Sequence, residues 1–138
     1  MKRINWRRVF LCGLVVGLLW GVLGELKFTL LGRDFLTAMR GGHAATTINA
    51  WSIAFWVCME LVLGVWTMWL YAAIRPRYGA GPNTAVLAGV ALWVIATWVD
   101  VVWASVAGVP FRVLMAPVAT DLPIDIVAAV VGAWLYRE

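Results

Sequence analysis

The chain has 138 residues, of which 64% are hydrophobic and 13% are charged, and its formal net charge is +4. A soluble domain carries about 25% charged residues and could not bury this much apolar surface, so the composition excludes a soluble protein. The positive charge does not indicate nucleic-acid binding, because the basic residues cluster at the ends of apolar segments.

The sequence predicts an all-α, polytopic membrane protein: a single domain built as a bundle of four transmembrane helices. Each apolar segment is longer than the roughly 20 residues that cross a hydrocarbon core. No cleavable signal peptide is expected, since the first apolar run is longer than the apolar region of a signal peptide. The expected spans are about 9–31, 48–74, 83–107 and 111–136.

The first span carries a regular stripe of small residues. Three glycines recur every four residues, at Gly13, Gly17 and Gly21. Small residues at this spacing allow another helix to approach closely, so we expect these glycines to be helix-packing positions. Glu25 continues the stripe and is expected to face protein, whereas Lys27 lies on another face near the outer end and can extend to the surface.

The connection between the first two spans, 32–46, is the longest in the chain. Within it, Arg33–Arg40 has apolar residues on one side and charges on the other, which predicts a short interfacial helix that ends at Gly41 and Gly42. The single histidine, His43, has no cysteine or carboxylate neighbours. We therefore expect it to be a solvated loop residue and expect no metal site.

The later connections are short. The second span is followed by a predicted tight turn over Arg75–Pro82, rich in glycine and proline, and the third by an outer turn over Gly108–Arg112. Basic residues at the two sides of the predicted bundle number seven (Lys2, Arg3, Arg7, Arg8, Arg75, Arg77, Arg137) and four (Lys27, Arg33, Arg40, Arg112). The excess on the first side predicts that both termini are cytoplasmic.

Every predicted span contains an acidic residue. Counted at about 1.5 Å per residue from the cytoplasmic ends, these acids all lie in the outer half of the bilayer. An acid facing lipid costs several kcal/mol, so each is expected to turn inward and form a buried carboxylate cluster. Like charges at low dielectric cannot all stay ionised, so some members should be protonated at neutral pH. The cluster is Glu25, Glu60, Asp100, Asp121 and Asp125, and the basic residues that could reach its level from the outer rim are Lys27 and Arg112.

Two prolines interrupt the fourth span. Pro117 and Pro123 each leave a backbone carbonyl without its helical donor. One interpretation is a span broken near mid-membrane, as at transporter ion sites, with Thr120 or Asp121 capping a helix that starts near Pro123. The alternative is a continuous helix with a proline kink packed against its neighbours.

The second and fourth spans share a spacing. Glu60 precedes Trp69-Leu70-Tyr71 by nine residues, and Asp125 precedes Trp134-Leu135-Tyr136 by the same distance. This repeat predicts two hairpins related by a pseudo-twofold axis along the membrane normal, with chance similarity as the alternative. The same comparison matches the first and third spans through their acids and small residues: Glu25 with Asp100, and Gly13 with Ala88 and Gly89.

Cysteine and tryptophan offer little chemistry. Cys12 and Cys58 differ in height by roughly 20 Å, so we expect no disulfide between them. The ten tryptophans are expected to form interfacial belts or to pack and contact lipid, because no pair of His, Met or Cys residues offers cofactor ligation. We expect no cofactor. The deeper members are Trp20, Trp56, Trp93, Trp98 and Trp103.

Two segments, Trp69–Ala85 (WLYAAIRPRYGAGPNTA) and Gly132–Glu138 (GAWLYRE), are similar to those of a group of small bacterial four-span membrane proteins. Gly24-Glu25, late in the first span, fits the same group. The RPRYG-x-GP turn is the most specific part of the resemblance. The resemblance implies a location in the bacterial inner membrane and no particular activity.

Two hypotheses about function follow from these patterns. The first is an accessory or interaction subunit of a larger membrane assembly, or a lipid-binding bundle; its partners are membrane lipids and either other membrane subunits or further copies of the chain. The second is an oligomeric cation- or proton-coupled carrier or channel that uses the intramembrane acids. An enzyme is not expected, because the sequence offers no nucleophile–base pair, metal ligands or phosphate loop.

Overall fold

The computed structural model describes residues 4–41 and 49–136, which form four helices. Their bounds are α1, Trp6–Gly41; α2, Ala50–Tyr78; α3, Pro82–Val106; and α4, Phe111–Leu135. Each contains a segment long and apolar enough to cross a membrane, Trp6–Leu30 in α1 and the whole of the other three. The prediction of an all-α four-helix membrane bundle is confirmed.

The helices form a ring of neighbours in which α1 packs on α2 and α4, and α3 packs on α4 and α2. Among the described residues, α2 and α4 touch across the bundle, whereas α1 and α3 do not. The main core lies at the N-terminal ends of α1 and α3 and the C-terminal ends of α2 and α4. A smaller core lies near the α3–α4 connection. The main core includes Val9, Val16, Met68, Tyr71, Ala85, Ala88 and Ala128; the smaller one comprises Ala104, Val109, Leu114 and Val118.

The first helix is longer than predicted. The sequence predicted a span ending near residue 31 and a separate interfacial helix over Arg33–Arg40, but α1 continues unbroken to Gly41. Gly32 does not end the helix because it is buried against the ring of Phe28, one turn earlier, and the residues after it favour helix. The predicted break after Gly41, and His43, lie outside the described residues.

The predicted turn over Arg75–Pro82 is shorter in the structure. The second helix continues through Pro76 and ends within one turn of it, where a single lost backbone hydrogen bond is tolerated. The backbone N–H of Gly79 donates to the Arg75 carbonyl at 2.9 Å and closes the helix. The turn itself is Gly79–Gly81, in which the two glycines have φ values of 86° and 144°, a region that favours glycine.

The fourth helix is continuous, so the interpretation of a broken span is wrong. Both prolines lie inside α4. Thr120 does not cap a new helix; its hydroxyl donates back to the carbonyls of Ala116 at 2.9 Å and Pro117 at 2.8 Å. A threonine shortly before a proline is typical of a helix start. It also fits the interior of a proline-containing helix, where its hydroxyl donates to a carbonyl one turn earlier.

The glycine stripe lies at the contact between α1 and α2. A Cβ atom on Gly17 would lie 2.6 Å from the carbonyl oxygen of Glu60 and 2.7 Å from the Cα of Leu61, so only glycine permits this approach. A Cβ on Gly13 would collide with the backbone of Val65, and one on Gly21 with the carboxylate of Glu60. All three predicted packing glycines therefore face α2.

The second hairpin repeats this contact. A Cβ on Gly89 would lie 2.9 Å from the carbonyl oxygen of Asp125 and 2.9 Å from the Cα of Ile126. In the sequence repeat, Asp125 and Ile126 match Glu60 and Leu61. The equivalent contacts thus support the pseudo-twofold relation between the two hairpins.

The contacts also correct the alignment of the first and third helices. They pair Gly17 with Gly89, whereas the sequence comparison matched Gly13 with Ala88 and Gly89 and so aligned Glu25 with Asp100. With Gly17 on Gly89, Glu25 aligns with Thr97 instead. The error arose because the acids were used as the anchor, while the closest backbone approach sets the register of packed helices.

Candidate functional site

The five acids differ widely in exposure. Asp125 is 1% exposed, Glu60 and Asp121 are half-buried, and Glu25 and Asp100 are exposed in the single chain. The prediction of a buried cluster is therefore wrong for Glu25 and Asp100, although each lies within electrostatic range of another acid, Glu60 and Asp121 respectively. Glu25 and Asp100 lie on α1 and α3, whose backbones do not contact each other in the described structure.

The interacting groups fall into two sets. In the first, on α1 and α2, the carboxylate of Glu60 occupies the space that the missing side chain of Gly21 leaves open. Glu25, one turn after Gly21 on the same stripe, interacts electrostatically with Glu60. Among the described residues, no lysine or arginine side chain forms an ion pair with either of these two acids.

The second set joins α1, α3 and α4. Lys27 of α1 donates to a carboxylate oxygen of Asp121 on α4, and the two side chains are 18% and 20% exposed. The ammonium therefore turns into the bundle rather than towards the outer surface. The ion pair links two helices that are far apart in sequence. Asp100 of α3 interacts electrostatically with both Asp121 and Lys27.

Asp125 lies one turn after Asp121 on the same face of α4 and is the most enclosed acid. Neither of its carboxylate oxygens accepts a hydrogen bond of normal geometry from the described residues. Lys27, Asp121 and Asp100 act on it electrostatically, and the indole of Trp20 lies within its reach. A buried polar group without a partner is unusual and costly, so this carboxyl group requires an explanation.

A hydrogen bond between α3 and α4 supports the same region. The indole N–H of Trp93 donates to the backbone carbonyl of Val118 at 2.9 Å. The carbonyl that Pro123 deprives of its helical donor is that of Ala119, so the Trp93 bond is an additional one at the neighbouring residue. It links α3 to α4 close to Asp121.

Other predicted features offer no chemistry. Both cysteines are free, as predicted, with Cys12 buried and Cys58 exposed. Among the described residues there is no group of three or more His, Cys, Asp or Glu side chains that could hold a metal ion. Three deep tryptophans lie on the outside of the bundle, where they can contact lipid: Trp56, Trp98 and Trp103.

The role of Lys27 was predicted only as one of two alternatives. The sequence placed this residue on a face away from the glycine stripe, where it could extend to the surface or reach in to the acids. A lysine within an apolar span and two aspartates one turn apart in another span would have signalled an intramembrane ion pair.

Comparison of the chain with protein-family models, with curated proteins and with solved structures finds no match.

Proposed function

We propose that the protein is a subunit of a larger membrane assembly in the bacterial inner membrane, with both termini in the cytoplasm, and that it binds partner helices through the surface of α1 that bears Glu25 and the surface of α3 that bears Asp100. The location rests on the resemblance of the RPRYG-x-GP turn to small bacterial membrane proteins, and the orientation on the distribution of basic residues. The chain acts by contact rather than by catalysis.

The exposure of Glu25 and Asp100 carries this proposal. Both residues lie within helices that are long and apolar enough to span a membrane, yet both are exposed on the surface of the single chain. An acidic side chain facing hydrocarbon costs several kcal/mol, whether it stays charged or takes up a proton. Contact with a partner helix that donates hydrogen bonds removes this cost.

The chemistry of these surfaces favours a different protein over a second copy. The cation at the level of these acids in the described structure is Lys27, and Asp121 already engages it. Two copies packed through these surfaces would bring acids against acids. A partner helix with lysine, arginine, serine or threonine side chains would supply the missing donors.

A second candidate function, the proton- or cation-coupled carrier, is favoured by one observation. Asp125 is enclosed between helices and its carboxylate has no hydrogen-bond partner among the described residues. Such groups mark proton relays and ion pathways in membrane proteins. The two candidates differ in the acids that they use, since the carrier depends on the enclosed carboxyl and the subunit on the exposed ones.

Purification from native membranes in a mild detergent tests the proposal. The wild-type chain should migrate with a larger complex, and Glu25→Gln together with Asp100→Asn should release it as a small species. Val22→Ala is the matched control, because Val22 is 67% exposed on α1 and carries no polar group. A wild-type chain that migrates only as a monomer or small homo-oligomer would contradict the proposal, as would a complex that the double variant leaves intact.

A further inference from the structure

The enclosed carboxyl group of Asp125 is not one of the exposed acids to which partner binding is assigned above. It is 1% exposed and lies in the interior of α4, more than two turns from either end. An ionised carboxylate taken out of water without hydrogen-bond donors costs far more than a neutral carboxylic acid in the same place. Neither oxygen accepts a hydrogen bond of normal geometry from the described residues, and the indole of Trp20 is a single nearby neutral donor, so the described geometry points to the neutral form.

The groups that face Asp125 are known for each helix packed on α4. Lys27 and Trp20 approach from α1, Asp100 from α3 and Asp121 from α4 itself, while α2 contributes no charged group among the interactions found for the described residues. Three acids therefore share one ammonium. Lys27 donates to Asp121, so the negative charges of a fully ionised set would exceed the available positive charge by two.

We propose that Asp125 is an exchangeable proton-binding site, and that Lys27 is the cation that replaces the proton when it leaves. Asp121 and Asp125 are one helical turn apart on the same face, so their carboxyl groups lie within reach of one ammonium on a flexible stem. In the protonated state, Lys27 pairs with Asp121. In the deprotonated state, it shifts between Asp121 and Asp125 and donates to both.

The exchange is balanced as a simple acid dissociation. The O–H bond of the Asp125 carboxyl breaks, the proton passes to water, and the electron pair stays on the carboxylate. Lys27 then donates to Asp125 as well as to Asp121, so the two carboxylates share one ammonium and neither is left without a donor. Reprotonation reverses each step. No oxidant, reductant or further reactant takes part.

The composition of the site favours a proton over a metal cation. A metal ion requires several oxygen ligands arranged around one point. The described residues contain no group of three or more acidic, His or Cys side chains suited to this. A proton needs a single carboxyl oxygen, which Asp125 supplies.

Infrared spectroscopy of the full chain in lipid nanodiscs tests the proposal, with the aspartate carboxyl groups labelled with carbon-13. At neutral pH we expect a carbonyl band of a protonated carboxylic acid that shifts with the label and disappears as the pH is raised. Glu60→Gln is the matched control, because Glu60 occupies the equivalent position of the first hairpin, and it should leave this band unchanged. Absence of a label-sensitive band in the wild type would overturn the proposal.

Two variants assign the band to Asp125 without relying on one substitution. Asp125→Asn should remove it. Asp125→Glu, which keeps a carboxyl group in place, should retain a protonated band that no longer shifts with labelled aspartate. A band that still shifts with the label in a folded Asp125→Glu protein would assign the proton to another aspartate and overturn the proposal.

The exchange with Lys27 gives the sharpest test. Asp121→Asn frees the ammonium to pair with Asp125, so the band should be lost at neutral pH although Asp125 is intact. The double variant Asp121→Asn with Lys27→Met should restore it. A band that persists in Asp121→Asn would overturn the proposed exchange, and a wild-type band that sodium ions abolish at constant pH would show a metal site instead.

Discussion

Gly17 allows the backbones of α1 and α2 to touch, and this contact depends on a single missing methyl group. Gly24, two turns further along the same helix, has no atom within 4 Å of the position that a Cβ would occupy. The two glycines therefore separate the effect of close packing from the effect of glycine on the helix itself. They provide a matched pair of sites within one helix.

We expect Gly17→Ala to lower the free energy of unfolding by about 1–3 kcal/mol, because its Cβ would overlap the Glu60 carbonyl and push the helices apart. Gly24→Ala should be neutral or slightly stabilising, since alanine favours helix more than glycine does. Unfolding in mixed detergent micelles measures both. Equal stability of the two variants would contradict the importance of this contact.

The ion pair between Lys27 and Asp121 is the second residue-scale feature open to test. Its side chains are about four-fifths buried, so removing one partner leaves a charge in a poorly solvated place. We expect Lys27→Met to lower the free energy of unfolding by about 1–3 kcal/mol, between the costs for exposed and fully buried pairs.

A double-mutant cycle measures this coupling directly. The variant Lys27→Met with Asp121→Asn should lose less stability than the sum of the two single variants, because neither charge is then left alone. The unfolding free energies of all four proteins supply the comparison. Additive costs would mean that the pair contributes nothing to stability.

Some of these residue contacts could be predicted from the sequence, because they depend only on spacing within one helix. The packing role of Gly13, Gly17 and Gly21 follows from spacing within one helix, which is local information. The burial of the acids depends on which helices are neighbours, and the sequence does not state that α1 and α3 lie apart. The exposure of Glu25 and Asp100 therefore could not be foreseen.

At the scale of the helix, α4 shows how tertiary contacts override local signals. Two prolines and a threonine are typical of a helix boundary, yet α4 runs from Phe111 to Leu135. Trp93 of α3 donates to the Val118 carbonyl close to the second proline. The sequence alone could not predict this donor, because it comes from a different helix, 25 residues away.

We expect Trp93→Phe to lower the free energy of unfolding by about 1 kcal/mol, because the hydrogen bond between α3 and α4 is lost while most of the ring volume remains. Trp98→Phe is the matched control, since Trp98 lies on the same helix and is 67% exposed. Thermal unfolding in detergent compares the two variants. A loss of the same size in Trp98→Phe would show that the hydrogen bond adds nothing beyond ring area.

At the scale of the whole molecule, the two hairpins meet at equivalent residues. Tyr71 of α2 matches Tyr136, the residue that follows α4, and their rings contact each other edge to face, with centroids 5.9 Å apart. Equivalent residues of a repeat can touch only near the axis that relates them, so the pseudo-twofold axis passes close to this pair. The Arg75 guanidinium also lies over the Tyr136 ring, at 5.6 Å from its centroid.

An axis along the membrane normal makes the hairpins parallel, so the turn at Gly79–Gly81, the start of α1 and the end of α4 lie on one side of the membrane. The basic residues Arg7, Arg8, Arg75 and Arg77 lie on this side, which predicts that it is cytoplasmic. In a background with Cys12 and Cys58 replaced by alanine, single cysteines can report the orientation. Ala80→Cys lies in this turn, and Val106→Cys lies at the opposite end of α3, where Val106 is 85% exposed.

A membrane-impermeant maleimide applied to spheroplasts should label Val106→Cys directly and Ala80→Cys only after the membrane is permeabilised. Both sites should react fully in detergent, which controls for accessibility. The reverse pattern would place the termini outside while leaving the bundle intact. Labelling of both sites in sealed spheroplasts would instead contradict the four-span arrangement, because α3 joins these two positions through a single crossing of the membrane.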